Sequence, residues 1–152
     1  MGGAIRRLDL GDRADAEALL RVQRAAYAVE AELIGFAGIP ALRETAADLA
    51  ACRETVLGRF ADGRLVAALG YERTGDALEL CRLVVDPGAF RAGHASALLD
   101  AVDAAEPGVA STTVSTGSAN EPALRLYARR GFRVVGHREV APGVDVTLLH
   151  RP

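Results

Sequence analysis

Two stretches of the 152-residue chain hold side chains whose types and spacing could do chemistry. The first reads Val84-Val85-Asp86-Pro87-Gly88-Ala89-Phe90-Arg91-Ala92-Gly93-His94-Ala95, an apolar strand passing through a turn into the start of a helix. A helix N-terminus carries unpaired N–H groups and a partial charge of about +0.5, so small residues there let a phosphate approach the backbone. Gly93 and Ala95 are the permissive positions. The same spelling also suits an ordinary strand-turn-helix connection in which the glycine only turns the chain. The second stretch reads Asn120-Glu121-Pro122-Ala123-Leu124-Arg125-Leu126-Tyr127-Ala128-Arg129-Arg130-Gly131-Phe132. Asn120 is a good N-cap, Glu121 complements the helix dipole, Pro122 fits the first turn, and Leu124 and Tyr127, three apart, share a face. Taken alone it is a self-consistent helix that carries a phenol and an amide.

The elements that must position these groups follow from periodicity. The opening AIRRLDL alternates as a strand, and Asp12 with Ala14 and Glu17 begins a helix whose apolar positions are Leu19, Leu20, Val22, Ala26 and Tyr27. From 31 to 45 the pattern breaks at Gly35, Gly38 and Pro40, which predicts a loop or broken helix before a short helix over 46–52. Residues 55–59 and 64–72 read as strands joined at Ala61-Asp62-Gly63, a hairpin signal. The turn Thr74-Gly75-Asp76 leads into ALELCRLVV as the third strand of an antiparallel meander. A helix over 91–105 stops at Glu106-Pro107-Gly108, a strand over 109–115 follows, and a helix over 120–130 is closed by Gly131. Strands over 132–140 and 144–149 meet at a Pro-Gly turn. The order β α α β β β α β α β β predicts a mixed α/β (α+β) fold, with about seven strands and about four helices in a single domain over 1–152. No G-x-G-x-x-G follows a strand, which disfavours a doubly wound dinucleotide fold.

Composition removes several function classes. Net charge is −2 with both signs interspersed, so the electrostatic footprint of nucleic-acid binding is missing. Cys52, Cys81, His94, His137 and His150 make no metal-ligand spacing, and no metal is expected. No apolar run reaches the roughly 18–20 residues of a membrane span and the opening residues lack a signal-peptide pattern, so a cytoplasmic protein without a membrane partner is expected.

The two stretches, in this order, resemble the signatures of the GNAT superfamily of N-acetyltransferases. The first family motif, Gln/Arg-x-x-Gly-x-Gly/Ala after a V-x-P strand end, matches at Gly93 and Ala95 and departs at Phe90; Arg91 can supply the missing charge. The second, Asn-x-x-Ala-x-x-x-Tyr followed by Gly-Phe, matches Asn120, Ala123, Tyr127, Gly131 and Phe132. The resemblance implies a mostly antiparallel sheet, with acetyl-coenzyme A as cosubstrate and its pyrophosphate on the loop of Phe90, Arg91, Ala92, Gly93, His94 and Ala95. It further implies that the first motif's strand splays from its neighbour, that backbone groups of Val84 and Val85 hold the thioester, and that Asn120 contacts the pantetheine arm. Tyr127 then points at the thioester sulfur, where it can hydrogen-bond or protonate the departing thiolate. Glu79, six positions before Val85, stands where several family members carry a catalytic base. Its alternatives are a pairing with Arg82 or a water chain that relays the proton. The acceptor implied is a small-molecule or peptide amine, attacked directly in a ternary complex, and a homodimer is left open. Tyr27, Glu30, Glu32 and Glu44 border the irregular insert and could attract a cationic amine, though exposed acids also form solvated faces. The rival reading is a non-catalytic acyl-coenzyme A binding module or sensor of the same fold.

Overall fold

The computed structural model describes residues 3–35, 38 and 43–152. Seven strands appear among them: β1 (Ala4–Arg7), β2 (Thr55–Ala61), β3 (Arg64–Thr74), β4 (Ala77–Val85), β5 (Ser111–Gly117), β6 (Arg133–Ala141) and β7 (Val144–Arg151). Four α-helices accompany them: α1 (Arg13–Ile34), α2 (Ala46–Ala51), α3 (His94–Ala105) and α4 (Glu121–Arg129). The strands form one sheet in the order β1-β2-β3-β4-β5-β7-β6, antiparallel everywhere except between β4 and β5. This is the mixed architecture expected from the order of elements, with the mostly antiparallel sheet that the resemblance implies.

The sheet is covered on both faces. Leu98, Leu99 and Val102 of α3 and Tyr127 of α4 pack with Leu69, Leu78 and Leu80 on one side. Leu19, Leu20 and Val22 of α1 and Leu49 of α2 pack with Leu65, Ala68 and Val84 on the other. Each such leucine removed from water contributes about 1.5–3 kcal/mol, which offsets the ordering of the helices over the sheet. Strand β3 lies between both layers, and its residues Leu65, Ala67, Ala68, Leu69 and Tyr71 are all buried. Among the described residues no helix is long and apolar enough to cross a membrane.

Local chemistry sets the boundaries. Asp62 (φ 52°) and Gly63 (φ 76°) take the two left-handed positions of the β2–β3 hairpin turn. Helix α1 runs to Ile34, past the break expected at 31, and stops where Gly35 turns left-handed (φ 67°) and donates to the carbonyls of Ala31 and Glu32. Of the rest of the insert, residues 36, 37 and 39–42 lie outside the described residues. Thr45 and Asp48 form a reciprocal capping box on α2. Helix α3 begins at His94, not at 91, because Arg91 (φ 64°) and Gly93 (φ 77°) are left-handed and cannot be helical. Strand β5 begins at Ser111, two residues later than the apolar pattern suggests.

Two irregularities of β4 shape the space beside it. Tyr71 pairs with Leu80 but Gly70 pairs with Arg82, so Cys81 is an extra residue on β4. This bulge reverses the alternation: Leu78 and Leu80 join the α3/α4 layer, whereas Val84 joins the α1/α2 layer. The second irregularity is that β4 pairs with β5 only from Ala77↔Ser111 to Glu79↔Thr113. Beyond that point β5 continues along β7 to Gly117↔Val146, and β4 and β5 part like the arms of a fork.

Candidate active site

The fork opens into a cleft of about 590 Å³, walled by the C-terminal half of α1, the end of β4, the loop into α3, and α4. Strand β4 turns unpaired backbone toward it. Asp86 N–H donates to Val66 O at 2.8 Å, so by the alternation of an antiparallel ladder Val84 exchanges its hydrogen bonds with Ala68. The intervening Val85, opposite Ala67, points its N–H and C=O away from β3 and into the fork.

At one end of the cleft stands the N-terminus of α3. The first helical bond runs from Ala97 N–H to Gly93 O at 3.0 Å, which leaves the N–H groups of His94, Ala95 and Ser96 without helical partners. These residues and Gly93 line the cleft, as do Phe90 and Arg91; Ala92, between them, is exposed and outside the lining. A Cβ on Gly93 would meet nothing within 4 Å, so its left-handed φ, and not crowding by the chain, calls for glycine. Arg59 Nε donates to His94 Nδ1 at 2.8 Å. Burial, then the Arg59 charge, lowers the His94 pKa, and because Nδ1 accepts from Arg59 the neutral ring carries its proton on Nε2.

At the other end is Tyr127. Its ring is 4% exposed and meets Phe132 edge-on, with centroids 5.3 Å apart at 66°. Among the described residues its hydroxyl has no hydrogen-bond partner, yet no side-chain polar atom is both fully buried and unpaired, so the oxygen opens onto the cleft. The core role and the site role are therefore compatible: the ring packs, the hydroxyl faces outward. Burial, then the charge of Glu30, pushes its pKa above the ordinary phenol value. Asn120 also lines the cleft, but its Oδ1 caps α4 by accepting from Ala123 N–H at 3.3 Å, and its Nδ2 reaches Thr116 Oγ1 at 3.4 Å.

The four residues bordering the insert separate. Tyr27 and Glu30 line the cleft, and Glu32 is exposed. Glu44 is spent elsewhere: with Glu54 and Gln23 it binds the buried Arg82, at 2.9 Å, 2.8 Å and 2.6 Å. Desolvation pulls the Arg82 pKa down, but the bonds it donates to Glu54 and Glu44 outweigh this and the net shift is upward. This cluster, not a pairing with Glu79, is the setting of Arg82, and it fixes α1 to β4. Gly70 leaves it room, since a Cβ there would lie 2.9 Å from Arg82 Cγ.

Glu79 sits at the crotch of the fork, in the last β4–β5 pair, exposed and outside the cleft lining. Its carboxylate, that of Glu72 and the Cys81 thiol lie within 4.8 Å of one another. Burial, then the charges of Glu54, Glu79 and Glu72, pushes the Cys81 thiol up to about 12. Sequence reasoning missed Arg59, the cleft-lining Arg125 and Arg129, and the inward position of Glu30. The two α4 arginines, four apart, were open to helical periodicity; Arg59, 35 residues before His94, was not.

Comparison with known proteins agrees with this fold. Residues 23–134 match the family model described as the acetyltransferase (GNAT) domain. The chain is 38% identical over 135 residues to UPF0157 protein YqkA of Bacillus subtilis (strain 168), an alignment covering 89% of this chain and 39% of that protein. It thus spans about two fifths of the length of that curated relative. Among solved structures, the PaiA N-acetyltransferase from Thermoplasma acidophilum in complex with coenzyme A superposes with a TM-score of 0.81 at 19% identity, covering 99% of each chain. The ribosomal-protein-S18-alanine N-acetyltransferase from Escherichia coli gives 0.78 at 21% identity, covering 99% of this chain and 93% of that one. With nearly three quarters of its residues inside that family model, the chain belongs to the GNAT acetyltransferase domain family.

Proposed function

We propose that the cleft binds acetyl-coenzyme A and that the protein transfers its acetyl group to a primary amine by direct attack in a ternary complex. The observation that carries this reading is the fork itself, with an unpaired β4 edge in the middle, free helix N–H groups at one end and an unpartnered phenol at the other. An extended pantetheine arm would add to the β4 edge as a strand adds to a sheet. The N–H groups of His94 and Ala95, with Gly93 and Arg91, would receive the pyrophosphate. Among structural neighbours, two N-acetyltransferases are complexed with coenzyme A, which supports the same cosubstrate here. A cytoplasmic setting and one domain spanning the chain belong to this reading.

In the reaction the amine nitrogen bonds to the thioester carbonyl carbon, the C–S bond breaks, and one proton leaves the nitrogen. Val85 N–H would polarise the carbonyl and Tyr127 would donate a hydrogen bond to the departing sulfur. An aliphatic ammonium with a pKa near 10.4 gives roughly one free amine per thousand molecules at neutral pH, a deficit of about 4 kcal/mol, so a proton acceptor is needed. Glu79, at the crotch of the fork, would take that proton through water, since it does not line the cleft itself. An acyl-cysteine route has little support, because Cys81 is outside the cleft with its thiol pushed up to about 12.

The rival, a binding module without turnover, is favoured only by the position of Glu79 outside the cleft. Thiol release from acetyl-coenzyme A with a panel of primary amines separates the two. Amine-dependent release above the hydrolysis background is expected; tight coenzyme A binding with no amine-dependent release would leave the module reading standing.

A further inference from the structure

Helix α1 puts Tyr27, Glu30 and Leu33 at i, i+3 and i+6, one stripe that lines the cleft opposite β4. Glu30 is the acid of that stripe, between an aromatic ring and an aliphatic side chain. It faces the other arm of the fork, where the Asn120 side chain and the backbone N–H of Gly117 lie near enough to draw its pKa down. Tyr27 and Tyr127 both lie within its electrostatic reach. Among the described residues it forms no ion pair, unlike Asp15, Glu17, Glu44, Glu54, Asp86, Asp100, Asp103, Glu106 and Glu121. A carboxylate taken partly out of water with no cation beside it is under-compensated, and a ligand cation placed there would restore the balance.

We propose that Glu30 is the anchor for the acceptor's ammonium group, and that the acceptor is a primary amine carried on an apolar stem which packs between Tyr27 and Leu33. This rests on the acetyltransfer reading above and deepens it by naming the acceptor class and the residue that selects it. Burial raises the Glu30 carboxyl pKa against the lowering influence of Asn120 and Gly117 N–H, as expected of a carboxylate short of a cation. The anchor would hold the nitrogen near the Tyr127 hydroxyl, close to where the thioester sulfur must lie. Leu33, 47% exposed, gains cover when such a stem is bound.

The test is calorimetric binding of 2-phenylethylamine and of 2-phenylethanol, the same stem without the charge, to the wild type saturated with coenzyme A. The amine is expected to bind at least about tenfold more tightly than the alcohol, the worth of one charge-assisted hydrogen bond, and Glu30→Gln should erase that preference while Glu30→Asp keeps part of it. Equal binding of amine and alcohol to the wild type, no binding of the amine, or a preference unchanged in a folded Glu30→Gln protein would each overturn the proposal. The wild-type comparison needs no variant, so it stands even if Glu30→Gln fails to fold. Coenzyme A binding is measured first: its failure would refute the acetyltransfer reading, and the amine and alcohol titrations on the free protein would still read the anchor.

Discussion

Tyr127→Phe removes one oxygen and little else, and the structure lets the size of its effect be argued. The ring is 4% exposed and packs edge-on to Phe132, contacts that phenylalanine keeps. The hydroxyl has no partner among the described residues, so no internal hydrogen bond is lost and the melting temperature should move by no more than the 2–4 °C or so that about 1 kcal/mol represents in a protein of this size. The catalytic loss is bounded by acidity. A thiol titrates near 8.5 and a phenol near 10, and burial with Glu30 nearby raises Tyr127 further. Complete proton transfer to the thiolate is therefore uphill by about 2 kcal/mol or more. The useful contribution is a hydrogen bond to a developing anion, about 1.5–3 kcal/mol, or roughly 10- to 150-fold in kcat, at the low end of general acid catalysis. Steady-state thiol release with an active amine, alongside coenzyme A affinity and a thermal melt, reads all three quantities. Wild-type kcat in the variant, or a kcat loss that tracks a collapsed melting temperature, would refute the assignment of the hydroxyl to the sulfur.

Gly93→Val forces a branched residue into a left-handed position in the cleft lining, so coenzyme A affinity should fall at least about tenfold by calorimetry, with a stability loss of about 1–2 kcal/mol. Arg82→Ala strands the Glu44 and Glu54 carboxylates, and denaturant unfolding should register a loss of about 3–5 kcal/mol; a loss below about 1 kcal/mol would mean that the cluster is not the clamp between α1 and β4. Glu79→Gln should lower kcat/KM most at low pH, where free amine is scarcest, whereas a uniform loss across pH would assign it a structural role. Asp15, bonded by Arg6 at 2.8 and 2.9 Å and by Asp9 N–H at 2.8 Å, has its pKa held below 3.8, chiefly by Arg6. Its stabilisation is present above that unfolded value and lost as pH falls through the lower folded one, so Asp15→Asn should flatten the acid side of the stability profile below about pH 4.

What the sequence disclosed was local. Asn120, Pro122 and Gly131 mark a helix by capping rules that need no tertiary contact, and Gly93 with Ala95 marks a backbone that something can approach. The seven strands were legible because alternation and turn residues repeat within a few positions. The bulge at Cys81 was not, because ALELCRLVV reads as one strand until β3 is aligned beside it. Nor was the nearness of Glu30 to the Gly117 N–H, or the bond from Arg59 to His94, since each brings together groups distant in the chain. Glu79 shows the converse: its place six positions before Val85 is plain in the sequence, but only the pairing with Thr113 reveals that it stands at the crotch of the fork and outside the cleft.

The most direct test is a crystal structure of the protein with acetyl-coenzyme A. The pyrophosphate should accept from the N–H groups of His94 and Ala95, the thioester carbonyl should face Val85 N–H, and the sulfur should lie within about 3.5 Å of the Tyr127 hydroxyl. Density for the cofactor outside the fork, or a sulfur far from that hydroxyl with the pantetheine unpaired from β4, would contradict the central claim.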